Sequence, residues 1–177
     1  MKSSSGLVTI FLLFACGVSF GNACRSLVIP RAVNSALRKH FGGWNIVTPN
    51  LLSSREDREE WNQNYGNECP GVIKGRFTGT GEGYALSLVR GSGKTLEQQI
   101  VAFLPSTAGL KTVVVDPPSH VDVVTVLRKF GPGLYTSRED ELSLSIKFDT
   151  IGVSEIDAGT VVYYWTGKKF DSLVTSE

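Results

Sequence analysis

Apolar residues follow three different patterns along this chain. Residues 7–18 form one unbroken apolar block, residues 30–61 carry apolar positions at helical spacing, and from residue 70 onward short β-branched or alternating runs are separated by glycine and proline. In the middle stretch Val33, Ala36, Leu37 and Phe41 share one face of a helix that Pro30 opens and Gly42-Gly43 closes. Residues 44–47 alternate weakly and predict a short extended segment. Ser53 followed by Glu56 is a capping-box pattern, and the charges behind it predict an exposed helix that turns Trp61 toward the body.

The runs 72–77, 84–89, 99–104, 111–115, 121–127, 142–148, 160–165 and 170–174 read as strands. Two of them, 99–104 and 121–127, also suit a helical turn or two. Between the runs stand Gly79-Thr80-Gly81, Gly91-Ser92-Gly93, Pro117-Pro118, Gly131-Pro132-Gly133 and Thr166-Gly167-Lys168, the residue types of tight turns. Connections this short leave no room for parallel crossovers. The predicted fold class is α+β: mainly antiparallel β-sheet, a curled meander, with two short N-terminal helices packed on or beside it.

The apolar block sets the compartment. Lys2, the polar residues 3–6, the block 7–18 and the small residues Gly21 and Ala23 have the layout of a cleaved export signal, and the block is too short for an ordinary membrane span. Residues 1–23 are therefore expected to be a signal peptide and 24–177 a single globular domain, secreted or periplasmic. The small residue before cysteine in Leu13-Phe14-Ala15-Cys16 leaves a second processing route open, with Cys16 as a lipid anchor. Cys24 and Cys69 stay in the mature chain either way, and an oxidising compartment predicts a disulfide between them. Closing a loop of about 45 residues stabilises the fold by roughly 4 kcal/mol in the chain-entropy model. With 18 Lys plus Arg against 17 Asp plus Glu, no general attraction to nucleic acid or anionic lipid follows.

Several segments look like sites. Arg90-Gly91-Ser92-Gly93-Lys94-Thr95 ends like a phosphate-binding loop, but Leu88 stands where the motif requires its first glycine, so a turn between strands is expected and no nucleotide. The frame Gly75-Arg76-Phe77-Thr78-Gly79-Thr80-Gly81-Glu82-Gly83-Tyr84 resembles the FG-GAP or VCBS-type repeat of extracellular proteins, in which a calcium loop joins two strands. The family's acidic ligand positions fall on Arg76, on Thr80, and on Gly83 or Tyr84. The resemblance therefore implies a strand-turn-strand shape anchored by Phe77, without a metal. The segment 161–170, with its Trp165-Thr166-Gly167-Lys168 turn, is similar to the end of small exported bacterial proteins of unassigned activity that carry one such degenerate repeat.

Catalytic sets are thin. His40 and His120 are the only histidines, and Cys69 is expected to be bonded. The acidic groups Glu56, Asp57, Glu59 and Glu60, and Glu139, Asp140 and Glu141, lie beside arginines and read as solvated faces. Tyr163, Tyr164 and Trp165 are consecutive on one strand, which puts Tyr164 opposite the other two and makes the three a candidate binding surface. The sequence thus predicts a non-catalytic exported domain with no cofactor, no metal and no membrane span, which binds an unknown protein or glycan or serves the envelope. Two alternatives stay open. One is a secreted or periplasmic hydrolase that assembles His120 with Asp122, or one acidic cluster, only in three dimensions. The other is an inhibitor acting through the protruding loop Pro117-Pro118-Ser119-His120 or Gly131-Pro132-Gly133.

Overall fold

The computed structural model describes residue 24 and residues 29–66, 68–139, 142–156 and 159–175. Residues 1–23, the expected signal peptide with Cys16, and the acidic residues Asp140 and Glu141 lie outside the described residues. Helix α1 (Arg31–His40) follows Pro30, buries Val33 and gathers Arg38, Lys39 and His40 in its last turn, where cations suit the helix dipole. Strand β1 (Asn45–Ile46) leads to helix α2 (Arg55–Tyr65). The capping box of α2 lies one residue beyond its expected place: Ser54 Oγ accepts the Asp57 N–H at 2.9 Å and Asp57 accepts the Ser54 N–H at 3.0 Å. The shift has a packing cause. Leu52 is drawn into a buried cluster with Trp61 and Val126, and its carbonyl accepts from Arg58, which keeps the chain extended through Ser54.

Apart from two 3-10 turns, Pro49–Leu51 and Gly93–Thr95, the rest of the regular structure is strand: β2 (Val72–Gly75), β3 (Gly83–Arg90), β4 (Glu97–Ser106), β5 (Gly109–His120), β6 (Val126–Phe130), β7 (Gly133–Thr136), β8 (Ser143–Ile146), β9 (Thr150–Ser154), β10 (Thr160–Trp165) and β11 (Phe170–Thr175). In the first sheet β1 and β2 pair with successive parts of β3, and β4 and β5 follow. The second sheet has the order β11-β10-β9-β6, and β7 and β8 form a separate hairpin. The ladders are antiparallel, and the sheets do not close into a barrel.

Ala85, Ile100, Ala102 and Leu104 on one face of the first sheet meet Leu127, Ile151, Val153 and Phe170 of the second. On the opposite face Leu86, Leu88, Val101 and Phe103 pack against α1, with Phe41 edge-on to Phe103 at 6.3 Å. Strands β3 and β4 are thus covered on both sides. That explains why 99–104 lacks alternation and looks ambiguous as sequence: a strand buried on both faces reads as one apolar run.

Other differences from the expected elements also have local causes. The run 121–127 becomes strand only from Val126, because the Thr125 backbone is satisfied by a side chain: the buried Gln98 amide accepts its N–H at 3.0 Å and donates to its carbonyl at 2.8 Å. Pro117-Pro118 is no turn but part of β5. An edge strand tolerates proline, and two register shifts opposite Gln98–Val101 absorb the extra residues. Strands β7 and β9 escape the sequence pattern. Gly152 interrupts the apolar signal of β9, and the Phe130 ring fills its place so closely that a Cβ there would stand 2.2 Å from the ring.

Candidate functional site

Hairpin turns gather at one end of the two sheets and enclose a groove of about 720 Å³. The β2–β3 turn contributes Thr78 and Thr80, the β4–β5 hairpin contributes Pro105, Ser106 and Lys111, the β8–β9 connection contributes Phe148, and the β10–β11 turn contributes Trp165 and Gly167. The two segments that stand out in the sequence, around Gly75–Tyr84 and around Trp165, are therefore opposite parts of one wall system.

Each wall is set locally. Phe77 is fully buried and pins the β2–β3 turn to the core, while the Arg76 N–H donates to Asp149 Oδ2 at 2.8 Å and ties that turn to the segment carrying Phe148. Gly79 sits at φ +76°, and a Cβ there would come 2.4 Å from the Phe148 ring, so both conformation and contact demand glycine. The Thr78 and Thr80 hydroxyls lie 2.8 Å apart. Across the groove the Thr166 N–H donates to the Lys169 carbonyl at 2.9 Å, closing the turn in which Gly167 has φ +99°. Trp165 packs edge-on against Phe170 with centroids 5.2 Å apart, and Lys111 Nζ lies 5.6 Å from its ring centroid.

Tyr163 shares the face of Trp165 but faces a second cavity, of about 400 Å³, lined by polar groups from Gln98, Asp116, Ser119, Thr125 and Ser154. Its hydroxyl bonds the Asp116 carboxylate. Burial first, and then the Asp116 charge, push the Tyr163 hydroxyl up to about 12. Burial also raises the Asp116 carboxyl above its ordinary range, against the lowering effect of the Tyr163 hydrogen bond. Tyr164 points to the opposite face, where limited burial and Asp171 across the strand pair raise its hydroxyl. The three aromatics thus serve three surroundings and do not form one surface.

Cys24 and Cys69 stand at disulfide distance, with sulfurs 2.06 Å apart, beside a third, mostly apolar cavity of about 670 Å³. Such a pair fits an oxidising compartment. Arg90 covers the Trp44 ring next to it at 4.6 Å. Among the described residues no helix is long and apolar enough to cross a membrane, and no three His, Cys, Asp or Glu side chains are grouped to hold a metal ion.

The proposed catalytic partners meet only at the surface. His120 Nε2 lies 3.5 Å from Asp122 Oδ1, with the two side chains 53% and 96% exposed, and neither residue lines any of the three cavities. His40 ends α1, far from this pair in sequence and element. Asp57 is spent on the α2 cap, Glu59 pairs with Arg55 at 2.7 Å, and the Glu139 N–H bonds Ser137 Oγ. Lys94 belongs to a self-contained turn in which Thr95 Oγ1 donates to the Ser92 carbonyl at 2.9 Å. Phe148, Lys111, Gln98 and Asp116 were not marked as site residues by sequence. Gln98 and Asp116 carry a usable signal, a polar residue at the end of an apolar run; Phe148 and Lys111 carry none.

The groove has aromatic walls, hydroxyls and one ammonium group, and no carboxylate, imidazole or thiol among its lining residues. That set can hold a ligand by stacking and hydrogen bonding. Comparison of the chain with family models, with curated proteins and with solved structures gave no match.

Proposed function

We propose that this chain is an exported, disulfide-tied, non-catalytic binding domain that holds a saccharide in the groove between its hairpin turns. The observation that carries the proposal is the convergence of the Gly75–Tyr84 turn and the Trp165 turn on one cavity whose lining is aromatic and hydroxylic. Binding residues on turns held by a rigid sheet scaffold are a common arrangement. Export is supported by the layout of residues 1–23 and by the cysteine pair. In this proposal the FG-GAP-like frame keeps its glycine skeleton as a shaped binding loop, with Thr80 at a position where a calcium loop would present a carboxylate and Thr78 beside it.

The test is amide and indole shift mapping of the labelled protein during titration with a panel of oligosaccharides. Shifts confined to Thr78, Thr80, Phe148, Lys111 and Trp165 are expected. No shift with any sugar, or shifts only around Cys24 and Trp44, would overturn the assignment. A hydrolase is the second reading, on one observation: Asp116, a half-buried carboxyl with a raised pKa, lies with Tyr163 in a polar cavity, as a general acid would. Turnover of a model glycoside or ester that Asp116→Asn abolishes would favour it.

A further inference from the structure

We infer that the saccharide is acidic, a uronic-acid type chain whose ring stacks on Trp165 while its carboxylate pairs with Lys111. The inference rests on the groove being the binding site and adds the charge of its occupant.

Among the described residues Lys111 is the one charged residue lining the groove. Its ammonium lies over the Trp165 ring, 5.6 Å from the centroid, where it is attracted by the π face. A neutral sugar that stacks on that face must push the ammonium aside and leave it with nothing new. A sugar bearing a carboxylate keeps the ammonium close and gives it a charge-assisted hydrogen bond. The nearby carboxylates do not compete for it. Asp149 accepts the Arg76 N–H at 2.8 Å, Glu82 pairs with Lys74 at 2.7 Å, and Asp171 lies 3.8 Å from Lys169.

The surrounding chain adds to the positive character. Lys168 follows the lining residue Gly167 and Lys147 precedes Phe148; both are exposed, and neither pairs with a carboxylate among the described residues. The whole chain carries a formal charge of only +1, so no overall excess of basic residues accounts for the lysines at this rim. A saccharide fits better than an acidic peptide because the Thr78 and Thr80 hydroxyls, hydrogen-bonded to each other at 2.8 Å beside the aromatic wall, still hold one O–H donor and acceptor lone pairs to offer a sugar hydroxyl.

The test is titration calorimetry of the mature, oxidised protein with three probes of matched length: a galacturonic acid hexamer, a neutral galactose hexamer and hexaglutamate. The uronate hexamer is expected to bind at least about fivefold tighter than the neutral one at low salt, with the advantage shrinking as salt screens the pair. Lys111→Gln should bring the ratio of the two affinities to about one, since it removes the charge while keeping polarity. Lys111 is exposed on strand β5, so this variant is not expected to unfold, and circular dichroism verifies it. Neutral sugar bound as tightly as uronate, or a ratio untouched by Lys111→Gln, overturns the charge assignment and leaves the groove proposal standing. Hexaglutamate bound as tightly as the uronate overturns the saccharide, and binding of none of the three overturns groove and charge together.

Discussion

Tyr163 and Trp165 project from the same face of β10, two residues apart, and both pack against the core between the sheets. Their roles differ because of what stands opposite. Trp165 lies at the strand end, where the turns leave space, so its ring lines an open groove. Tyr163 lies one step inward and meets Asp116. That meeting depends on the irregularity of β5: Val113 pairs with Ala102 and Val114 with Val101 in ordinary alternation, then a register shift sets Asp116 opposite inward-facing Ile100. Without the extra residue, Asp116 would share the outward face of Val114, which is 49% exposed. One bulge thus turns a surface carboxylate into a half-buried one and makes a polar cluster out of what would be a continuation of the apolar core.

The comparison is broken most severely at Trp165. Trp165→Ala removes the ring that packs on Phe170 and is expected to destabilise the fold by about 2–3 kcal/mol, below the range for fully buried aromatics because the ring is partly exposed. It should also abolish binding of the galacturonic acid hexamer at temperatures where the variant stays folded. Urea titration gives the first quantity and calorimetry the second; retained affinity would mean that Trp165 is core packing only. Gly79→Ala is the next largest. A side chain at φ +76°, directed at Phe148, should cost about 1–2 kcal/mol and push that ring into the groove. Hexamer affinity should fall with it while the Tyr163 environment, read from its ring resonances, stays unchanged.

Much of this arrangement is visible in sequence, and the rest is hidden for definite reasons. The α1 face, the two glycine-rich turns and the Cys24–Cys69 pairing follow from local patterns and the expected compartment. The pairing of Trp165 with Phe148 does not, because it joins turns of different hairpins and no periodicity encodes which turns share an end. Proline is read as a chain break, so Pro117-Pro118 conceals an edge strand that continues to His120. Gln98 presents the reverse problem. It stands in the polar run Glu97-Gln98-Gln99 ahead of an apolar one and looks like a strand boundary, yet its amide serves as a ladder partner for Thr125 and donates to Ser87 Oγ at 2.6 Å. Both errors come from assigning each residue its usual backbone role, when here a side chain does the work of a strand and a proline lies inside one.

Tyr163→Phe sharpens the contrast from the other side. It removes only the hydroxyl and leaves Asp116 half buried without that donor, at an expected cost of about 1 kcal/mol at neutral pH. Hexamer affinity at the groove should not change. A parallel loss of affinity would show that the two aromatics act as one site, contrary to the separation of their cavities.

The smallest effect is a pH dependence. Burial holds the folded Asp116 carboxyl above its ordinary value, so the folded chain binds that proton more tightly than the unfolded chain does. The stabilisation from this group is complete below the unfolded pKa and is lost as pH rises through the folded one. Asp116→Asn cannot titrate, yet its amide oxygen still accepts from the Tyr163 hydroxyl. The difference in melting temperature, native minus variant, should therefore become more favourable to the native chain as pH falls from about 7 to about 3. A constant difference over that interval would place Asp116 in water and dissolve the polar cluster, and a difference of opposite sign would mean that Tyr163 and its neighbours stabilise the charged carboxylate more than burial opposes it.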